Sequence, residues 1–257
     1  MVHLFDSHCH LQDTQLQPYL HDIMKRAVSC DVSQIMCCGT RPKDWDNVQE
    51  IVQYYPTTVI PSFGIHPWYV DKLQANWLED LKTHLLAGPS GIGEIGLDFA
   101  LKSFNKNLQE EVFIKQLLLA QSLKRPVSIH CRKAWGRMID ILTEVDCGLT
   151  GLFHSYSGGA ELVSHLAKNG WYFSFSGTIT RTGNKKGRKA LLAVPDNQLL
   201  IETDSPDLLP VHPLFPENTF NEPANLKMVV DAVAEIKSLS REEISLLTKK
   251  NFERLFL

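Results

Sequence analysis

Short apolar runs alternate with amphipathic stretches along the whole chain. The run "HLFDSHC" reads as a strand, and "LQPYLHDIMKRAVSC" behind it places apolar residues at helical spacing. The same alternation continues with strands at "SQIMCCGT", "TTVIPSFGIHP", "SGIGEIGLD", "PVSIHCR", "LTGLFHSYS", "WYFSFSGTI" and "QLLIETDSP". Helical patterns separate them, among them "KDWDNVQEIVQYY", "NWLEDLKTHLL", "NLQEEVFIKQLLLAQSLK", "AWGRMIDILTEV", "GAELVSHLAKNG" and "KKGRKALLAV". Two more helices are predicted near residues 222–237 and 240–255.

Strands that alternate with helices predict a parallel sheet with crossover connections. Most of these strands are apolar on both faces, as buried parallel strands are. Eight such units in 257 residues point to an α/β fold of the (β/α)8 TIM-barrel type, a single domain over residues 1–257. A doubly wound open sheet is the alternative, but no strand–helix turn carries a G-x-G-x-x-G to support a dinucleotide site.

Composition narrows the setting. Hydrophobic residues make up 44% and charged residues 21%, and the net charge is −3. No overall basic field exists, so nucleic-acid binding would rest on a local patch and metal ions. The six cysteines form no C-x-x-C pair and read as free thiols of a reducing compartment. No apolar run reaches membrane-spanning length. The expectation is a cytoplasmic protein, or a nuclear one in a eukaryote, with no membrane partner.

Polar residues then appear where a barrel keeps its chemistry, at the C-terminal ends of strands. These are His8 and His10 after strand one, His66 after strand three and Glu94 ending strand four. His130 follows strand five, His154 strand six and Asp204 strand eight. Strand alternation aims Asp6, His8 and His10 to one side and Cys9 to the other. Four histidines, His8, His10, His130 and His154, with Glu94 and Asp204 make a ligand set for divalent metal, enough for two ions if one carboxylate bridges. Zn, Mn, Co and Ni suit such nitrogen and oxygen donors, while Mg prefers a site richer in oxygen. A single histidine at a strand end is usually structural; six candidate ligands on one rim are not easily coincidental. His3 and His21 read as structural, and His84, His165 and His212 as surface residues. Cys131, next to His130, reads as core.

The motifs "DSHCH", "GIHP", "GEIGLD", "IHCR", "HSYSG", "ETDSP" and the late "NEPANL" occur in order over essentially the whole chain. In this the sequence strongly resembles the TatD family of metal-dependent deoxyribonucleases, within the amidohydrolase-like TIM barrels. The resemblance implies that His8, His10 and Asp204 hold one ion, that His130 and His154 hold the other, and that Glu94 bridges them. It implies that Asp204 doubles as general base and that a metal-activated water attacks the phosphodiester. His66, in the family's G-x-H-P motif, is expected to touch the scissile phosphate or a third ion. The family often continues this motif with a second histidine; here Trp68 stands there, as a base-stacking platform or a pocket wall. Asp98 and Ser205 are expected to orient ligands.

The segment "RTGNKKGRK" brings Arg181, Lys185 and Lys186 to the catalytic rim, either as a solvated helix face or as phosphate contacts, and Arg132 could join them. The Pro-rich stretch 210–220 could border the groove. The resemblance thus implies a deoxyribonuclease, a 3′–5′ exonuclease on single-stranded DNA or an exposed 3′ end, acting as a monomer with two divalent ions (Zn, Mn, Mg, Co or Ni). The alternative is a D-aminoacyl-tRNA deacylase or another ester or amide hydrolase of the same superfamily. A non-catalytic nucleic-acid binding module is a third reading, opposed by the intact ligand set.

Overall fold

The computed structural model describes residues 3–145, 148–212, 215–216 and 219–257. Cys147 of the expected free thiols lies outside the described residues, as do Pro213, Leu214, Glu217 and Asn218 of the Pro-rich loop. Eight strands run in sequence order, all parallel: β1 Leu4–Cys9, β2 Val32–Cys38, β3 Val59–Phe63, β4 Gly91–Asp98, β5 Val127–Arg132, β6 Gly151–Phe153, β7 Tyr172–Phe175 and β8 Leu199–Ile201. The helices between and after them are α1 Leu20–Ser29, α2 Pro42–Tyr54, α3 Trp77–Leu86, α4 Lys106–Leu123, α5 Trp135–Val145, α6 Ala160–Lys168, α7 Lys185–Ala193, α8 Leu226–Lys237 and α9 Arg241–Phe256. This is the expected (β/α)8 barrel.

The seam between β8 and β1 is joined by side chains and loop bonds. Ser7 Oγ donates to Ile201 O at 2.9 Å, and Asp204 N–H donates to His8 O at 2.9 Å. The Asp6 carboxylate accepts the Thr203 N–H at 2.9 Å and its hydroxyl at 2.6 Å. An irregularity in the β1–β2 register between Asp6 and Cys9 breaks the expected alternation at Asp6, while His8 and His10 share the mouth and Cys9 faces away. Ser7 reaches Ser174 on β7 at 2.8 Å and His8 reaches Ser128 on β5 at 2.8 Å, both across the barrel. Two successive residues therefore point inward, and Asp6 is spent on the seam.

The interior is layered. Phe5, Met36, Leu152, Tyr172 and Leu200 cluster with Phe252 and Leu255 of α9, so the last helix plugs the floor. The buried serines Ser7, Ser62, Ser128 and Ser174 lie on four of the strands above. The larger apolar cluster, with Trp45, Phe113 and Phe153 fully buried, fills the space between strands and helices, and Cys9 and Cys131 belong to it as expected. Against the surface reading of His84, its ring is tilted onto Trp45 and Phe63 at 5.2 and 5.5 Å and bonds Asp80 O and Asp46 Oδ1. The cause is its position on α3, on the face turned to β3 and α2.

Candidate metal centre

Strand ends aim the polar residues inward at the mouth. His10, His66, His154 and Asp204 lie just past their strands, but His8, Glu94 and His130 lie within β1, β4 and β5. Glu94 is not at the end of its strand. It occupies a break in the β4–β5 register between Ile92 and Ile95, the kind of bulge that re-aims a side chain. Close to it, Gly96 has φ 144°, and a Cβ there would meet His130 O at 1.9 Å. Only glycine lets β4 approach the His130 backbone this closely. Asp204 adopts φ 57°, a left-handed turn that folds its carboxylate back toward β1.

Glu94 organises the centre. Its Oε1 lies 2.7 Å from His154 Nε2, 2.8 Å from His130 Nδ1 and 3.3 Å from His66 Nε2. Its Oε2 lies 3.3 Å from His10 Nε2 and 3.4 Å from His8 Nε2. Asp204 Oδ1 stands 3.4 Å from His10 Nε2 and 3.7 Å from His8 Nε2. Among the described residues, three groups place potential ligand atoms within 4.8 Å of one another: His8, His10 and Asp204; His8, His154 and Glu202; His66, Glu94 and His130. One carboxylate thus faces two sets of imidazoles, one with each oxygen.

Outer contacts decide which nitrogen each ring offers. His10 Nδ1–H donates to Cys38 O at 2.7 Å, turning Nε2 inward. His130 Nε2–H donates to Asp98 Oδ2 at 3.3 Å, turning Nδ1 to Glu94. His66 differs: its Nδ1 accepts the Trp68 backbone N–H at 3.1 Å, so in the neutral ring the proton sits on Nε2, facing the centre. His66 is arranged to donate a hydrogen bond there.

Electrostatics agree with a cation site. Burial resists ionisation of Glu94, but the fields of His154 and His66 and bonds from His10 and His130 hold its pKa well below the usual carboxylate range. Asp204 is likewise held low, against its burial, by His10, His154 and His8. Burial opposes charge on His10 and His154, yet Asp204 and Glu94 lift the first, and Glu94 and Glu202 the second, well above the ordinary range. Burial brings His66 down to about 4, so its ring is neutral near pH 7. The carboxylates therefore call for positive charge between them, which a divalent cation supplies in place of protons. His154 Nδ1 and Glu202 Oε2 are buried without hydrogen-bond partners. The donor set, imidazole nitrogens plus carboxylate oxygens with fixed tautomers, fits divalent transition metals, and the clusters can hold two.

Sequence reasoning missed Glu202, whose Oε1 accepts the Ser155 N–H at 2.6 Å and stands 3.5 Å from His154 Nδ1. Its signal was its place as a second acid just after strand eight, two residues before Asp204. Ser128 was also missed, although it precedes His130 by two in the same way. Asp98 does orient His130, and it also accepts the Trp68 Nε1–H at 2.8 Å. The Trp68 side chain is 49% exposed, with its polar edge committed to that carboxylate. Ser205 is buried, and its hydroxyl has no hydrogen-bond partner.

The centre floors a cleft of about 270 Å³, lined by His10, His66, Trp68, Glu94, His130 and Asp204 among others. Arg132, Arg181, Lys185 and Lys186 are not in that lining. Arg132 ends β5 with an exposed side chain, Arg181 lies beyond β7, Lys185 opens α7, and Lys186 Nζ donates to Ser157 O at 2.7 Å. The basic residues on the cleft wall are instead Arg41 and Lys43, after β2.

A parallel barrel whose mouth gathers these clusters is the architecture of a metal-dependent hydrolase, and comparison with known proteins agrees. The family model described as TatD related DNase matches residues 5–257, and the chain belongs to this TatD family. It is 33% identical over 259 residues to the uncharacterized metal-dependent hydrolase YabD of Bacillus subtilis, covering 98% of each chain. It is 30% identical over 270 residues to the putative deoxyribonuclease TATDN3 of Mus musculus, covering 98% of this chain and 88% of that one. The crystal structure of YjjV, a TatD homolog from Escherichia coli, superposes with a TM-score of 0.91 at 25% identity, over 98% of this chain and 97% of that one. No helix of the described residues is long and apolar enough to cross a membrane.

Proposed function

We propose that this metal-dependent hydrolase is a deoxyribonuclease that removes nucleotides from the 3′ end of DNA, preferably single-stranded. The observation that carries the hydrolytic part is Glu94, each of whose oxygens faces a separate set of imidazoles. The nuclease part is supported by family membership and by relatives named as deoxyribonucleases.

In this reading His8, His10 and Asp204 would hold one ion and His130 and His154 the other, with Glu94 serving both. Two bound ions would activate a water and balance charge on the attacking and leaving oxygens. Asp204, ionised and 8% exposed at the mouth, accepts the proton that the attacking water gives up. His66 keeps its proton on Nε2 because Trp68 N–H occupies the other nitrogen, so it donates a hydrogen bond to a phosphate oxygen rather than ligating. Asp98 and Cys38 O hold the rings of His130 and His10 in orientation.

The test is metal-dependent cleavage of a 3′-labelled single-stranded DNA, run beside a D-aminoacyl-tRNA with the Glu94→Ala protein as control. Loss of the DNA end, absent in the variant together with its metal content, supports the proposal. Intact DNA with a cleaved ester moves the function to the deacylase.

A further inference from the structure

Five carboxylates line the cleft: Asp13, Asp44, Glu94, Asp204 and Asp207. Against these stand one arginine and one lysine, Arg41 and Lys43, both on the segment that follows β2. That segment is laced to the centre by its backbone. Gly39 O accepts the Glu94 N–H at 3.0 Å, and Thr40 O accepts the His66 N–H at 2.8 Å. Arg41 therefore leaves the chain one residue from a direct bond to His66.

Its guanidinium rests over a ring and makes one long ion pair, with Asp44. The guanidinium carbon lies 4.5 Å from the centroid of the Tyr69 ring. Asp44, whose Oδ2 is 3.9 Å from Arg41 Nε, is beyond hydrogen-bond reach. The Asp44 oxygens already accept the Thr40 N–H at 3.1 Å, the Thr40 hydroxyl at 2.7 Å and the Arg41 N–H at 3.3 Å. Arg41 Nε is buried with no hydrogen-bond partner, while 42% of the side chain stays open to solvent. A planar donor fork that lies over a ring and makes no hydrogen bond among the described residues can meet a phosphate with two oxygens at once through its terminal nitrogens.

We propose that Arg41, stacked on Tyr69 and flanked by Lys43, forms a subsite for the phosphodiester next to the one being cleaved, so that the cleft selects an oligonucleotide over an isolated phosphate ester. The inference rests on the nuclease reading and extends it. The candidate ligands would face the scissile group, and Arg41 and Lys43, the arginine and the lysine of the cleft lining, take the neighbouring charge.

The test uses the metal-loaded protein on three substrates: a single-stranded tetrathymidylate, the same tetramer with a neutral methylphosphonate beside the scissile linkage, and a mononucleotide p-nitrophenyl ester. Wild type should prefer the all-phosphodiester tetramer by about tenfold in kcat/KM, carried by KM, the scale of one charge-assisted bond pair. Arg41→Met should abolish that preference with its metal content retained, Arg41→Lys should keep part of it, and the mononucleotide ester should lose less than the tetramer. Equal losses on both tetramers, or a preference that survives Arg41→Met, would overturn the subsite while leaving the nuclease intact. The wild-type comparison of the two tetramers tests the phosphate contact even if Arg41→Met fails to fold. If wild type cleaves no oligonucleotide with any divalent metal, the nuclease reading falls and the subsite falls with it.

Discussion

The indole Nε1–H of Trp68 donates to Asp98 Oδ2 at 2.8 Å, and the same oxygen lies 3.3 Å from His130 Nε2. A half-exposed aromatic of the cleft wall is therefore one bond removed from a candidate ligand. Burial resists the ionisation of Asp98, and the bonds from His130 and Trp68 overcome it, holding its pKa down at about 2. Trp68→Phe keeps a ring for stacking and removes the donor. The expected result is metal affinity weakened by about tenfold, the low end for groups that orient a ligand, with KM for DNA changed less than kcat. Calorimetric titration with Zn²⁺ measures it. Full metal affinity in Trp68→Phe, with DNA binding lost in Trp68→Ala, would make the ring face the part that matters.

Metal should also hold the fold. The six candidate ligands come from β1, β4, β5 and the segments after β1, β6 and β8, so an ion there would bind the native barrel and hardly bind the unfolded chain. Free ion at about a hundred times its Kd adds about 2.7 kcal/mol, which for a chain of this size raises Tm by about 5–10 °C. Thermal melts in EDTA and after return of Zn²⁺ or Mn²⁺ check this. An unchanged Tm would count against tight binding at the centre.

Buried thiols give a pH-dependent prediction. Burial pushes Cys37 up to about 12 and raises Cys9, Cys38 and Cys131 as well. In a Cys147→Ser background, a thiol reagent at pH 8 should modify Cys30 and spare the other four. Because these folded-state values are raised, the stability they carry is whole below the unfolded thiol pKa of about 8.5 and is lost as pH rises toward 12. The slope is at most about 1.4 kcal/mol per pH unit for each thiol. Urea midpoints from pH 7 to 10 should fall accordingly.

Lys185 and Lys186 open α7 away from the cleft lining. Replacing both with Ala should weaken binding of a long single strand and reduce its salt slope by about 0.7 for each phosphate no longer neutralised. A dinucleotide, too short to leave the cleft, should bind as before. Long and short substrates affected alike would show that the pair acts on the cleft itself.

Most of the barrel was legible because parallel strands and amphipathic helices leave different periodicities in a sequence. The strands are shorter than their apolar runs suggest: β6, β7 and β8 end at Phe153, Phe175 and Ile201. The apolar pattern continues into the mouth, where the backbone already turns to aim His154 and Asp204. Strand parity failed at Asp6, because a register irregularity leaves no mark on residue type. The six ligand candidates stood out because histidine and acid are rare in buried strand ends. Arg41 did not, since a basic residue in a loop looks the same whether it meets solvent or leans on Tyr69. The basic run after β7 attracted attention through its density, although position, not density, decides what reaches a cleft.

The seam between the first and last strands has a further meaning. His8 and Asp204, whose facing atoms are 3.7 Å apart, are separated by about three quarters of the chain. They meet only once the eighth strand has come round to the first. An ion held by both would work as a clasp on a ring, fastening the join that side chains and loop bonds make. Cutting the join, by removing the Asp6 carboxylate that grips Thr203, should loosen the ion without touching one of its candidate ligands.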